Sequence, residues 1–413
     1  MESGFIVIIN NSVIKRKNTL DILHVIINNT PISRPEISKF TNLTTVTVGT
    51  VINELLESGI IMEEGQSESV GGRRAILYKF NKLAFYILGV NIRVDKIHIV
   101  LYDLAGNVLE NGESVFFSSG VESVMTAILQ SIMQLINNSG VQKNKIAGIA
   151  VSVPGRVDFE KGIINQITNV IEWKQVPLKD YLEHMTGIPT YVERDAHCCL
   201  MYLKWNGFIK NNSACAFCSI DEGIGASVIL NNNIYHGEHG LAGELGHVTV
   251  DVQGELCNCG NTGCLETKVS NHAIIRRYKT LCAQTGVHYT DLFGNETKPI
   301  QETELVEAMI RLALQGDNNA LESFRESARY LEIGLRNIIN MYDVSQIIIE
   351  CKWLKKLDMI FDEMVSRVFA TFSMLDRSDV MITQNPVESI FDLSTYPVVL
   401  DQLFSNYNDN ILI

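Results

Sequence analysis

Apolar residues in the first 80 positions recur at helical spacing. Leu20, Leu23 and Ile27 mark a first helix over about 15–28. Ser33-Arg34-Pro35-Glu36 reads as a capping box, with Ser33 as N-cap and Glu36 reaching back. It opens a short second helix whose apolar side is Ile37 and Phe40. A third helix opens at Asn42-Leu43-Thr44, lines one face with Val48, Val51, Ile52 and Leu55, and closes at Ser58-Gly59. Short strands at about 60–63 and 75–80 flank the polar, Gly-containing segment 65–74.

Beyond a linking stretch at 81–86 the period changes. Residues 86–108 alternate apolar and polar positions around a turn, as a strand, a hairpin and a second strand do. A helix over 121–138 and a buried strand over 146–153 follow, the strand ending at Pro154-Gly155. Next come helix 178–185, strand 190–192, helix 196–205, and strands 214–219 and 227–230. Helices at 305–314, 320–340 and 354–369 alternate with strands at 346–350 and 380–383, and a closing helix covers 386–404. Alternation of this kind predicts an α/β body.

Three helices and a hairpin are the order of a winged helix-turn-helix, whose third helix lies in the DNA major groove. The exposed side of that helix would carry Thr44, Thr45, Thr47, Thr50 and Asn53. Such hydroxyls and amides bond phosphates or base edges, and a threonine methyl can touch thymine. The hairpin tip holds Gly71-Gly72-Arg73-Arg74, where Arg73 and Arg74 would clamp phosphates or enter a minor groove. The plainer alternative is a three-helix interaction domain with a solvated threonine face. Threonine is a mediocre helix former, so four of them between positions 44 and 50 are better explained by a partner.

The strongest chemical signal is Gly243-Glu244-Leu245-Gly246-His247 ahead of Cys257-Asn258-Cys259-Gly260-Asn261-Thr262-Gly263-Cys264-Leu265-Glu266. His247, Cys257, Cys259 and Cys264 make a closed tetrahedral zinc set, with Gly260 and Gly263 letting the chain turn tightly. Four protein ligands leave no place for a catalytic water, so the zinc would be structural. The alternative is three reduced, uninvolved cysteines.

The stretch from Gly223 to Glu266, with His236-Gly237 and the two runs just quoted, resembles the signature of the ROK family of repressors and sugar kinases. The likeness covers about 85–404. It implies an actin/hexokinase-like pair of α/β subdomains behind the winged head. The implied divisions are 1–80 for the head, 81–205 completed by 386–413 for a small subdomain, and 206–385 for a large one. The implied sugar ligands are Gly155, Asn169, Asp195, Glu244, His247 and Glu266, with Asp195 at the position of the kinase catalytic base. Family kinases cradle ATP with an Asp-x-Gly-Gly-Thr loop, a Gly-Thr-Gly-x-Gly loop and a Gly-rich adenosine loop. The matching stretches here are Asn91-Ile92-Arg93-Val94-Asp95, Asp221-Glu222-Gly223-Ile224-Gly225 and Glu350-Cys351-Lys352. No ATP binding is therefore expected. Arg194 replaces the family's usual Asn; it would pair either with a phosphate or carboxylate on the ligand or with a nearby acid such as Glu193.

The resemblance implies a sugar-responsive repressor of carbohydrate genes, acting on operator DNA as a homodimer or homotetramer, with a sugar or sugar phosphate as effector. The rival is an active ROK sugar kinase with an accessory N-terminal domain. Composition fits a cytoplasmic protein. The nine cysteines are odd in number and clustered, unlike a secreted disulfide framework. The apolar start lacks a basic leader and a cleavage site, and no apolar run is long enough for a membrane span. The net charge of -13 argues against nucleic acid at first sight. Its distribution removes that objection. Residues 1–80 hold eight Lys+Arg and eight Asp+Glu, so the whole excess of acid lies in the body.

Overall fold

Ser33 and Glu36 start the second helix as their spacing predicts, and the head builds outward from that point. The computed structural model describes residues 11–67, 74–93, 96–115, 120–167, 170–209, 214–286, 301–370 and 379–405. The head comprises α1 (Asn11–Asn28), β1 (Ile32–Ser33), α2 (Arg34–Thr41), α3 (Thr45–Glu57), β2 (Ile61–Gln66) and β3 (Ile76–Phe80). Its three strands pair in the order β1-β3-β2, both pairs antiparallel. This is a winged-helix arrangement.

The Glu36 carboxylate accepts the Ser33 backbone N–H at 2.9 Å. Thr44 caps α3, its hydroxyl oxygen accepting the Thr47 N–H at 3.2 Å. Val48, Val51, Ile52 and Leu55 are all buried, as their spacing predicts. One expectation about the head fails. Phe40 is 59% exposed, because an eight-residue helix turns it away from the core that Ile37 enters. The expected first helix is present as α1, where the buried positions among the described residues are Thr19, Ile22, Leu23 and Ile26, with Leu20 and Ile27 only half-buried.

The body continues as β4 (Tyr86–Ile92), β5 (Lys96–Asp103), β6 (Val108–Val115), α4 (Val121–Ser139) and β7 (Ile146–Val153). Then come β8 (Gly155–Asp158), β9 (Ile163–Ile167), β10 (Val170–Val176), α5 (Leu178–Thr186), β11 (Thr190–Arg194) and α6 (Asp195–Trp205). β12 (Cys215–Ile220), β13 (Ile224–Leu230), β14 (Asn233–Ile234), α7 (Glu266–Val269) and α8 (Asn271–Thr285) follow. The remainder is α9 (Glu302–Leu314), α10 (Asn318–Tyr342), β15 (Gln346–Cys351), α11 (Lys352–Lys356), α12 (Asp358–Ala370), β16 (Met381–Gln384), α13 (Ile390–Leu393) and α14 (Tyr396–Ser405).

The chain divides into two compact units. The first holds the head with 81–152, 176–193 and 395–413; the second holds 153–175 and 194–394. The first unit is built on a mixed sheet ordered β11-β7-β4-β5-β6. Its β4 and β7 run parallel, while β4–β5 and β5–β6 are antiparallel. α14 closes this unit by packing on β4 and on α1 of the head. Gly89 makes the approach feasible, since a Cβ there would lie 2.1 Å from the Thr395 hydroxyl.

The second unit is built on a mixed sheet ordered β14-β13-β12-β15-β16 and a smaller sheet ordered β10-β9-β8. One core lies between the five-stranded sheet and α8–α12, around Tyr278, Phe324 and Trp353. A second core packs α6 on β12 and β13 through Ala196, Cys199, Leu200 and Leu203. This packing puts 194–205 in the second unit, where the sequence reading has it in the small subdomain. The closing helix is also broken: α13 and α14 are separated at Ser394 and Thr395, both fully buried. Likewise 354–369 is split into α11 and α12 at Leu357.

Candidate functional site

The conspicuous chemistry of the second unit gathers around the loop between β14 and α7. His247, Cys257, Cys259 and Cys264 offer ligand atoms that all lie within 4.8 Å of one another. Cys257 Sγ is 3.7 Å from His247 Nδ1, and Cys259 Sγ is 3.6 Å from Cys264 Sγ. A tetrahedron with Zn–S bonds of about 2.3 Å has edges of about 3.7 Å, so the spacing fits zinc. Burial raises the Cys257 thiol and pushes that of Cys264 up to about 12. Burial also opposes ionisation of Cys259, but the Asn261 backbone N–H and the neighbouring thiols outweigh it and lower that thiol. A cation is what such a set requires in order to hold thiolates.

The knot is tied to its surroundings. Lys268 of α7 reaches Asp251 at 2.7 Å, and Arg276 of α8 reaches Glu255 at 2.7 Å. Asn261 donates to Thr249 at 2.9 Å and to Cys264 Sγ at 3.5 Å. Gly263 has φ +73°, and a Cβ there would sit 1.6 Å from the Asp251 carbonyl oxygen.

His247 faces two ways. Its Nδ1 joins the cysteines, while Nε2 lies 3.8 Å from the Glu244 carboxylate. Glu244 in turn accepts from Arg194 Nη2 at 2.9 Å, and Arg194 Nη1 donates to the Ala242 carbonyl at 2.8 Å. Arg194 is 6% exposed. Of the two partners the sequence allows for this arginine, the structure contains an acid, Glu244. Asp195 begins α6 beside it, half-buried, with its carboxylate accepting the Ala196 N–H at 2.7 Å.

Glu266 starts α7 two residues after Cys264, and its carboxylate accepts the Ile224 N–H at 3.1 Å. Gly223 and Gly246 crowd that carboxylate: a Cβ on either would come within 3.3 Å of it. Asp195, Glu244, His247 and Glu266 therefore all belong to the second unit, joined through Arg194, the knot and the β13 loop. Gly155 is also in this unit, paired with Ile167 across β8 and β9. A Cβ there would lie 2.2 Å from the Gln166 carbonyl oxygen, so its glycine is accounted for by strand contact. Asn169 lies outside the described residues.

In the stretches compared above with the kinase ATP loops, Asp221 and Glu350 are engaged locally. Asn271 Nδ2 donates to Asp221 at 2.6 Å. Glu350 accepts from Lys355 at 2.6 Å and from Asn385 at 2.5 Å. Val94 and Asp95 of the first loop lie outside the described residues.

On the head, Thr44, Thr45, Thr50 and Asn53 are exposed and Thr47 is half-buried. The Thr44 and Thr47 hydroxyls are 2.9 Å apart, and Thr50 donates to the Val46 carbonyl at 3.2 Å. Arg74 is exposed; Gly71, Gly72 and Arg73 lie outside the described residues. Sequence reasoning passes over two residues here. Arg34 bridges α3 and the wing, donating to Asn53 Oδ1 at 2.8 Å and to the Tyr78 hydroxyl at 2.8 Å. Val46 projects from the first turn of α3 with 77% of its surface exposed. Periodicity carries the signal for Val46, since it falls opposite Val48, Val51, Ile52 and Leu55.

Among the described residues no helix is long and apolar enough to cross a membrane. The ROK family model matches residues 87–384. The xylose repressor of Bacillus spizizenii is 30% identical over 361 residues, which is 87% of this chain and 88% of the relative. A crystal structure of a ROK family transcriptional regulator, a homologue of the E. coli MLC protein, superposes with a TM-score of 0.80. It is 24% identical and covers 97% of this chain and 99% of its own. A ROK family glucokinase from Streptomyces griseus, solved with glucose and AMPPNP, has a TM-score of 0.63 at 24% identity. That likeness covers 76% of this chain and 98% of the glucokinase. With its winged head, its two mixed sheets and its Cys/His knot, this chain belongs to the ROK family, among the family's transcriptional regulators.

Proposed function

We propose that this protein is a sugar-responsive repressor of carbohydrate-metabolism genes that binds operator DNA through paired winged heads. The observation that carries the reading is the ring of His247. One nitrogen belongs to the cysteine knot and the other faces Glu244, in a chain that also bears a DNA-binding type of head. Zinc, held by His247, Cys257, Cys259 and Cys264, would fix the imidazole and so set the position of the hydroxyl-binding groups. Gly155, Asn169, Asp195, Glu244, His247 and Glu266 are the proposed sugar ligands. Carboxylates and imidazole suit a polyol, because each hydroxyl both donates and accepts.

Arg194 is already engaged by Glu244 and the Ala242 carbonyl, which favours a neutral sugar over a sugar phosphate. The Bacillus relative is a xylose repressor, so a neutral aldose leads the candidate effectors. Asp221 would put a carboxylate where kinases hold polyphosphate, and Glu350 one in the stretch matching the adenosine loop, each held by a neighbouring side chain. Like charge there opposes ATP, and the chain is read as a non-catalytic ROK homologue. Sugar binding changes DNA affinity only if the sugar prefers one of two states that differ in their grip on DNA. A cytoplasmic homodimer or homotetramer would present two heads to two half-sites.

The test is a thermal-shift panel of neutral and phosphorylated sugars, paired with duplex binding to the upstream regions of nearby sugar genes. One neutral sugar should raise the melting temperature and weaken the duplex complex, and Asp195→Asn and Glu266→Gln should remove both effects. ATP-dependent sugar phosphorylation that is lost in Asp195→Asn would overturn the reading in favour of a kinase.

A further inference from the structure

We propose that Val46 is a specificity-determining residue of the head, reading a thymine methyl group in the major groove of the operator. The inference rests on the DNA-binding reading above and goes beyond it by naming the base and the contact. Val46, Thr50 and Asn53 are spaced i, i+4, i+7 and lie on the face of α3 opposite the buried Val48, Val51, Ile52 and Leu55. Val46 leads that row, at 77% exposure. Neither local structure nor the core explains a valine there. A β-branched residue is a poorer helix former than Ala, Lys or Arg, and this one buries almost nothing in the free protein.

The rest of the helix narrows what it reads. Thr45–Glu57 contains no Lys and no Arg, so the helix itself lacks the bidentate cation that reads guanine. Its first turn contains no acid to repel phosphate. Thr50 donates its hydroxyl proton to the Val46 carbonyl, which leaves its methyl and an acceptor oxygen to meet a partner. Asn53 Oδ1 is taken by Arg34, which leaves the amide N–H groups to donate. What remains is a small apolar surface with one hydroxyl acceptor, and an amide donor two turns along. In the major groove the only apolar group on a base edge is the C5 methyl of thymine.

The full-length protein is first used to select duplexes from a randomised pool. Each thymidine of the selected duplex is then replaced in turn by deoxyuridine, which pairs identically but lacks the methyl. At one or two positions per half-site the affinity should fall about fivefold, the effect of one methyl leaving an apolar contact. Val46→Ala, at an exposed site that folding does not depend on, should lose a similar factor. At the same position it should become indifferent to uracil, and Val46→Thr, which keeps a γ-methyl, should retain the discrimination. A selected duplex that tolerates uracil everywhere overturns the inference alone. So does an undiminished uracil penalty in Val46→Ala. Failure to select any duplex removes the DNA-binding reading itself, and this inference with it.

Discussion

Arg194 donates one arm of its guanidinium to Glu244 at 2.9 Å and the other to the Ala242 carbonyl at 2.8 Å. A buried residue at the head of α6 thereby holds the loop that carries Glu244 and His247. Arg194→Ala should cost about 2 kcal/mol, the range for hydrogen bonds to a charged group left unmade. Arg194→Lys should recover less than half, since an ammonium lacks the planar fork. Urea unfolding midpoints measure both; unchanged stability in Arg194→Ala would mean that the pair does not hold the loop.

The thiols of the knot give zinc binding a definite pH sign. Burial holds Cys257 and Cys264 above the ordinary thiol range, so without the metal both carry protons near neutrality. Binding expels those protons, and apparent affinity should drop at least about tenfold per pH unit between about pH 8 and about pH 6. Competition against a chromophoric chelator measures this. Elemental analysis should return one zinc per chain, and Cys259→Ser should return little.

Gly263 and Gly260 have positive φ alike but differ in what surrounds them. A Cβ at 263 would meet the Asp251 carbonyl oxygen at 1.6 Å, whereas one at 260 meets nothing within 4 Å. Gly260→Ala should cost about 1 kcal/mol, the strain of the left-handed backbone. Gly263→Ala should prevent the knot from closing and abolish zinc retention. Zinc content and melting temperature of the two variants, measured side by side, decide the matter.

In the head, hydrogen bonds from the Ser33 hydroxyl and backbone hold the Glu36 carboxyl below its ordinary range. A carboxylate depressed in the folded state contributes stability above its unfolded value, about 4.3, and that contribution is lost as pH falls through the folded value. Glu36 is exposed, so the effect is under about 1 kcal/mol. Glu36→Gln should keep most of the cap while flattening the acid limb of the head's melting curve below about pH 4.

Where sequence periodicity and local chemistry agree, the fold is legible. Val48, Val51, Ile52 and Leu55 define α3 by themselves, and His247 with Cys257, Cys259 and Cys264 defines the knot through short-range spacing. What escapes is local signal without contrast. α8 is missed although Ser270 caps it and Ile274, Ile275, Tyr278 and Cys282 form its buried side. It begins directly behind the knot, whose motif dominates that stretch. β8, β9 and β10 escape because they are short, and the described positions of β8 and β9 mix burial and exposure without a clean alternation. The Arg194–Glu244 pair escapes for a different reason. Its partners are far apart in sequence, and either residue alone has several plausible acids or bases to meet. Phe40 shows the reverse error, in which an apolar residue at helical spacing lies outside the core.

The placement of α14 has a consequence for synthesis. The first unit, head included, is completed by Tyr396–Ser405, which leaves the ribosome after every other described element of that unit. Until it emerges, the surface around Gly89 that Thr395 covers is bare, and α1 lacks one of its packing partners. The second unit lies wholly upstream of that point and can fold around its knot first. A nascent chain would therefore acquire its metal-binding half before its DNA-binding half is finished. A message broken before codon 395 would yield a first unit that lacks its closing helix.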